Sequence, residues 1–255
     1  KNISEKIIKK NNSELIISDE DFASLTIAQE VKIPNILITD VLETKFTKGI
    51  ASFIEKKMNK SMMNIIKNCD VVIIPENGED VDNIRRIGPI VREINLSREE
   101  LRKKFSFNKK TILISVGGTD AGLFLIQKSI ESILKLNLDI EIILVTGPSI
   151  TKKFDNVKNL GFVDNLHELI YASDVVISLA GKSTIDEAKA YGTPGIFIPI
   201  KDHFEQENNS KNEGFTFNDI NKLDELILEK LDKKRNKVNT NGAELAAEII
   251  RKFTK

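Results

Sequence analysis

Cysteine occurs once in this chain, at Cys69, tryptophan not at all, and histidine only at His167 and His203. A single thiol excludes a disulfide framework and a cysteine-ligated structural zinc, and points to a reducing, cytoplasmic compartment. Two histidines 36 positions apart offer no metal-ligand spacing, and no bound metal is expected. Charge of one sign is lacking too: 38 basic residues face 38 acidic ones, so nothing draws the whole molecule to nucleic acid, and any polyanion site must be local. The longest apolar runs, such as 112–116 and 175–177, fall far short of the roughly 20 residues that span a bilayer. No signal peptide opens the chain; it starts Lys1-Asn2-Ile3 without Met, as a processed or incomplete chain does.

What is present is ample apolar material, 40% of 255 residues, in short runs that alternate with helical stretches. That alternation predicts an α/β fold with helices packed on parallel sheets. Strands are expected at 15–18, 35–39, 71–75, 111–116, 141–146, 175–179 and 195–199. Helices are expected at 22–29, 50–67, 122–136, 166–172, 184–190, 220–234 and 242–253. Gly88-Pro89 and the charged stretch after it suggest a boundary. The expected organisation is a partial first domain over 1–90, a linker over 91–105, a second domain over 106–235, and a C-terminal segment over 236–255 that crosses back or stays.

Three segments carry candidate chemistry. The first is Ile112-Leu113-Ile114-Ser115-Val116-Gly117-Gly118-Thr119, a strand entering a glycine turn ahead of a helix, where backbone N–H groups can meet a phosphate. Its spacing matches neither the dinucleotide fingerprint nor the P-loop. The second is Ala180-Gly181-Lys182-Ser183-Thr184-Ile185-Asp186-Glu187. Here Glu187 either closes a capping box with Thr184 or, as a first-turn carboxylate, accepts hydrogen bonds from the vicinal hydroxyls of a ribose. The third, 199–210, crowds Asp202, His203, Glu205, Gln206, Glu207 and Asn209 into one loop, suited to a hydroxyl-rich ligand or simply to solvent. No Gly-x-Ser-x-Gly frame is present, and no nucleophile stands out.

The stretch 50–67 places Ile50, Phe53, Ile54, Met58, Met62, Ile65 and Ile66 at helical spacing. From Lys45 to Lys67 there are six lysines and one acid, Glu55. This is either a core-packed stripe with a solvated lysine face or a surface for anionic lipid.

Taken in order, Gly161-Phe162-Val163-Asp164-Asn165-Leu166, Tyr171-Ala172-Ser173-Asp174, Ala180 through Glu187, Gly192-Thr193-Pro194, Glu205-Gln206 and Asn209-Ser210 resemble the nucleotide-sugar half of the GT-B glycosyltransferases of family 28. That is the family of the lipid II N-acetylglucosaminyltransferase and its archaeal relatives. The resemblance covers most of 85–250 and implies two Rossmann-like domains. It implies uracil beside Phe162 and Val163, ribose on Glu187, and diphosphate near Gly181, Lys182, Ser183 and Thr184. Gln206 and Asn209 would meet the sugar hydroxyls, Gly117, Gly118 and Thr119 would face the cleft from the other side, and Arg92 would approach phosphate. Family members normally begin with further strands and a glycine-rich loop bearing a histidine. Nothing of that kind precedes Leu15, so the first domain reads as truncated or completed by a partner chain, and no general base is assigned.

The expected activity is transfer of a hexosamine-type sugar, N-acetylglucosamine by resemblance, from UDP to a lipid-linked or cell-envelope acceptor at the inner membrane face, with no cofactor. Two alternatives stand beside it: a nucleotide-sugar hydrolase of the sialic-acid-like sugar pathway, and a non-catalytic nucleotide-sugar-binding subunit of a split transferase.

Overall fold

The computed structural model describes residues 2–45, 51–117 and 120–254. They form two compact units, Lys1–Ile90 with Thr240–Lys255, and Val91–Asn239. The expected strands are all present, each within one residue of its expected ends.

The first unit carries a parallel four-stranded sheet in the order β1 (Ile16–Asp19), β2 (Asn35–Ile38), β3 (Val71–Ile74), β4 (Ile84–Arg86). Its central strands β2 and β3 are buried on both faces, and alternation sorts their side chains. Leu37, Val72 and Ile74 pack with α2 (Phe22–Val31) and α3 (Ala51–Lys67) through Leu25, Ile66 and Cys69. On the opposite face Ile36, Val71 and Ile73 pack with α10 (Gly242–Arg251) through Ala246. The C-terminal segment therefore divides. Up to residue 239 it belongs to the second unit, where the Arg235 guanidinium donates to the carbonyls of Tyr171, Ser173 and Tyr191 and lies over the Tyr171 ring. From Thr240 onward it belongs to the first, where Thr240 Oγ1 donates to the Pro89 carbonyl. A helix at the chain start, α1 (Asn2–Lys10), was not expected.

The second unit carries a parallel five-stranded sheet. Its strands are β5 (Lys110–Ser115), β6 (Ile140–Val145), β7 (Lys158–Gly161), β8 (Val175–Leu179) and β9 (Gly195–Ile198). Their order is β7-β6-β5-β8-β9, so the chain winds outward from β5 to one edge through β6 and β7 and then returns to the other side of β5 with β8 and β9. One continuous core covers both faces, with Ile112, Leu113, Ile114, Val176 and Ile177 fully buried. Helices α5 (Leu123–Lys135) and α9 (Leu223–Asp232) pack together, and α6 (Leu166–Ala172) lies between α4 (Arg98–Phe105) and α7 (Lys182–Tyr191).

The stretch 91–105, expected as a linker, is instead part of the second unit. Ser97 and Glu100 form a reciprocal capping box that starts α4, and Leu101 is fully buried. Arg98 and Arg102 reach Asp174 at 2.6 and 3.1 Å. The charges that made this stretch look like a solvated connector are its anchors.

Candidate functional site

Because β5 and β8 are paired in register, Ser115 against Ser178, the turns that leave their carboxyl ends are neighbours. The first begins at Val116-Gly117 and the second is Ala180-Gly181. Gly118 and Thr119 lie outside the described residues. This is the topological switch point of the sheet, where open parallel sheets take their ligands. At both Gly117 and Gly181 an added Cβ would meet nothing within 4 Å among the described residues, and neither has a positive φ. Neither internal packing nor backbone conformation demands glycine there. Bare backbone facing open space at a helix entrance suits the close approach of a phosphate.

Helix α7 begins at Lys182, with Gly181 as its N-cap and no side-chain cap. Two expectations change as a result. Thr184 is the third helical residue, so it forms no capping box with Glu187, and Glu187 sits in the second turn rather than the first. Its side chain is 5% exposed, and Arg92 Nε donates to its Oε1 at 3.0 Å. Burial pushes the Glu187 carboxyl above its usual range, with the Arg92 charge opposing that shift. Arg92 Nη1 also donates to the Asp164 carbonyl at 3.2 Å and lies 3.5 Å from His167 Nδ1. One guanidinium thus ties the loop after β7, which carries Phe162 and Val163, to the ribose-candidate carboxylate. Phe162 is 66% exposed, a ring left free for a planar partner.

Lys182 Nζ and Asp186 form an ion pair at 2.5 Å, four residues apart on α7. Burial raises the Asp186 carboxyl, and Lys182 opposes that shift. Ser183 is exposed and Thr184 half-buried beside them. The segment read as a loop at 199–210 contains a helix, α8 (Phe204–Asn212), capped by His203, whose Nδ1 accepts from the Gln206 amide at 3.4 Å. Gln206 Oε1 accepts from Ile200 N at 3.0 Å, and Asn209 Nδ2 donates to the Ala180 carbonyl at 3.3 Å. Asn209 thereby joins α8 to the second glycine turn. Among the described residues, no group of three His, Cys, Asp or Glu side chains is placed to hold a metal ion.

Several site neighbours escaped the sequence reading. His167 lies against Arg92, and burial followed by the Arg92 charge lowers its pKa. Tyr191 donates from its hydroxyl to the Arg92 carbonyl at 2.7 Å, and burial first, then Glu187, pushes that phenol up. Asp186 alone had a legible signal, its four-residue spacing from Lys182.

Two Rossmann-like parallel-sheet units, the second with paired turns at its switch point, are typical of the GT-B fold. Consistent with that class, the chain is similar to Phytolacca americana UGT2 solved with UDP-2-fluoro-glucose and pterostilbene, with a TM-score of 0.62 and 12% identity over 99% of this chain and 78% of that one. The model of the glycosyltransferase family 28 C-terminal domain matches residues 111–255, and the chain belongs to that family. It is 26% identical over 218 residues to an uncharacterized glycosyltransferase of Methanopyrus kandleri, covering 81% of this chain and 62% of that protein. It is 28% identical over 225 residues to a Staphylococcus epidermidis UDP-N-acetylglucosamine–N-acetylmuramyl-(pentapeptide) pyrophosphoryl-undecaprenol N-acetylglucosamine transferase, covering 81% and 59%. The chain thus spans about three fifths of the length of these curated relatives.

Proposed function

We propose that the second unit binds a UDP-sugar, and that the protein transfers its sugar, N-acetylglucosamine by analogy with the Staphylococcus relative, to a lipid-linked or cell-envelope acceptor. The observation that carries this reading is the pairing of β5 with β8, which sets two open glycine turns side by side with Glu187 on the helix that follows one of them. In this reading uracil stacks at Phe162 and Val163, and the ribose hydroxyls donate to Glu187. The diphosphate meets the α7 entrance at Gly181, Ser183 and Thr184 together with Lys182 and Arg92, while Gln206 and Asn209 face the sugar. Gly117 belongs to the opposite wall, to which Gly118 and Thr119, outside the described residues, are assigned by the resemblance alone. Sugar transfer needs a base on the acceptor hydroxyl, stabilised positive charge on the sugar, and donors on the leaving diphosphate. These residues supply the third.

Calorimetric titration tests the reading directly. UDP is expected to bind, with ADP and GDP weaker; equal binding of all three would remove the base-reading role of the 162–163 loop. Product analysis with UDP-N-acetylglucosamine alone separates transfer from hydrolysis, since rapid turnover without an acceptor would favour the hydrolase.

A membrane-facing acceptor is supported by α3. Its C-terminal half packs inward through Met62, Ile65 and Ile66. Its N-terminal half leaves Phe53, Ile54 and Met58 exposed at 77%, 65% and 64%. Ile50 lies outside the described residues. A largely apolar groove of about 480 Å³ runs past Phe22, Ile54, Met58, Met62 and Ile65. Glu55, the one acid of the helix, is buried, whereas Lys56, Lys57, Lys60 and Lys67 are exposed, so the outward charge is positive. Exposed apolar side chains among lysines suit peripheral docking on an anionic leaflet, here the inner face of the cell membrane. No described helix is long and apolar enough to cross a membrane. The chain is expected to sediment with phosphatidylglycerol vesicles at low salt and to be released by Ile54→Glu with Met58→Glu. Retention of the double variant would place docking elsewhere.

A further inference from the structure

The Arg92–Glu187 pair joins two unequal partners. The carboxylate is 5% exposed and the arginine 54%, so the guanidinium is the lid and the carboxylate the floor. The Arg92 backbone is pinned, since its carbonyl accepts the Tyr191 hydroxyl at 2.7 Å, which leaves the side chain free to pivot from a fixed point. Its other contacts on this side are a single backbone carbonyl, Asp164, and the edge of the His167 ring. Among the described residues, nothing gives the guanidinium the two parallel acceptors that its planar fork is built to take.

We infer that Arg92 makes this crevice selective for phosphorylated nucleosides by resting on the ribose carboxylate until a phosphate draws it away. This rests on the donor-site reading above and adds a competition to it. A nucleoside without phosphate must displace Arg92 from Glu187 and leave the cation with no anionic partner. A nucleoside diphosphate brings that partner, with oxygens that accept two N–H groups at once, so uncovering Glu187 and seating the diphosphate become one event. Lys182, held by Asp186 on the first turn of α7, stays in place throughout.

The test is a crossed effect. Ligand-observed NMR reads dissociation constants into the millimolar range for uridine and UDP against the wild-type chain, Arg92→Ala and Arg92→Lys. In Arg92→Ala uridine is expected to bind about tenfold tighter than in the wild type, because the Glu187 contact no longer competes, and UDP about tenfold weaker, because a two-pronged phosphate contact worth about a hundredfold is lost against that tenfold gain. Arg92→Lys, which keeps a charge that can still pair with Glu187 but not the fork, should show little of the uridine gain and a smaller UDP loss. Tyrosine fluorescence melting verifies that each variant is folded. Uridine binding that is unchanged, weaker or undetectable in Arg92→Ala overturns the competition while leaving the donor site standing if wild-type UDP binding persists. Absence of UDP binding by the wild type takes down the donor-site reading and this inference with it.

Discussion

Replacing Glu187 by Ala is expected to weaken UDP binding by about thirtyfold, roughly 2 kcal/mol, the size of hydrogen bonds to a charged acceptor. The unit should remain folded, because the partner left behind is a half-exposed arginine that water can solvate. The same carboxylate predicts a pH dependence. Ribose hydroxyls donate to the ionised form, and protonation converts one oxygen into a donor. Affinity is therefore present above the Glu187 pKa and lost as pH falls through it. Since burial raises that pKa, the loss begins above the ordinary carboxylate range. Glu187→Gln, which cannot ionise, should bind UDP weakly with a flat profile over the same window. Calorimetry showing wild-type affinity in Glu187→Ala would end the ribose assignment.

The second large effect is on stability. Asp174 accepts from Arg98 Nη2 at 2.6 Å, from Arg102 Nη1 at 3.1 Å and from the Thr111 amide at 2.8 Å. It links α4 to the start of β5 and to the turn before β8. Removing a carboxylate from such a cluster leaves two half-buried cations and a backbone donor unmatched, so Asp174→Ala is expected to cost about 3 kcal/mol. Both tyrosines, Tyr171 and Tyr191, lie in this unit and the chain has no tryptophan, so tyrosine fluorescence in a urea titration follows the second unit alone. Removing Arg98 and Arg102 together with Asp174 should cost less than removing Asp174 by itself, because the two cations that the carboxylate pairs leave with it. A loss below about 1 kcal/mol for Asp174→Ala would mean that solvent already serves these groups.

The two strands that sequence reasoning missed share a cause. β4 and β7 are edge strands, and Ile84-Arg85-Arg86 and Lys158-Asn159-Leu160-Gly161 carry polar side chains where the central strands have Ile and Val. A strand paired on one side and partly wet has no apolar run to announce it. Helix α4 buries Leu101, and α8 buries Ser210, so neither shows an apolar stripe. The opposite error occurred in α3, where a helical apolar spacing suggested one continuous face that the fold divides between core and solvent.

Local pattern alone determined the alternation of strand and helix, the places of the two glycine turns and the candidate carboxylate, because burial periodicity and turn chemistry are properties of neighbours in the chain. The tertiary structure decided what meets what. The turns at Gly117 and Gly181 adjoin because the connection returning after β7 lays β8 against the other edge of β5, a choice made by handed crossovers and by burial of both sheet faces. Arg92 covers Glu187 across 95 positions of sequence because 91–105 folds onto the second unit instead of linking two. Such pairings draw their energy from contacts distant in the chain, and no local window of residues contains them.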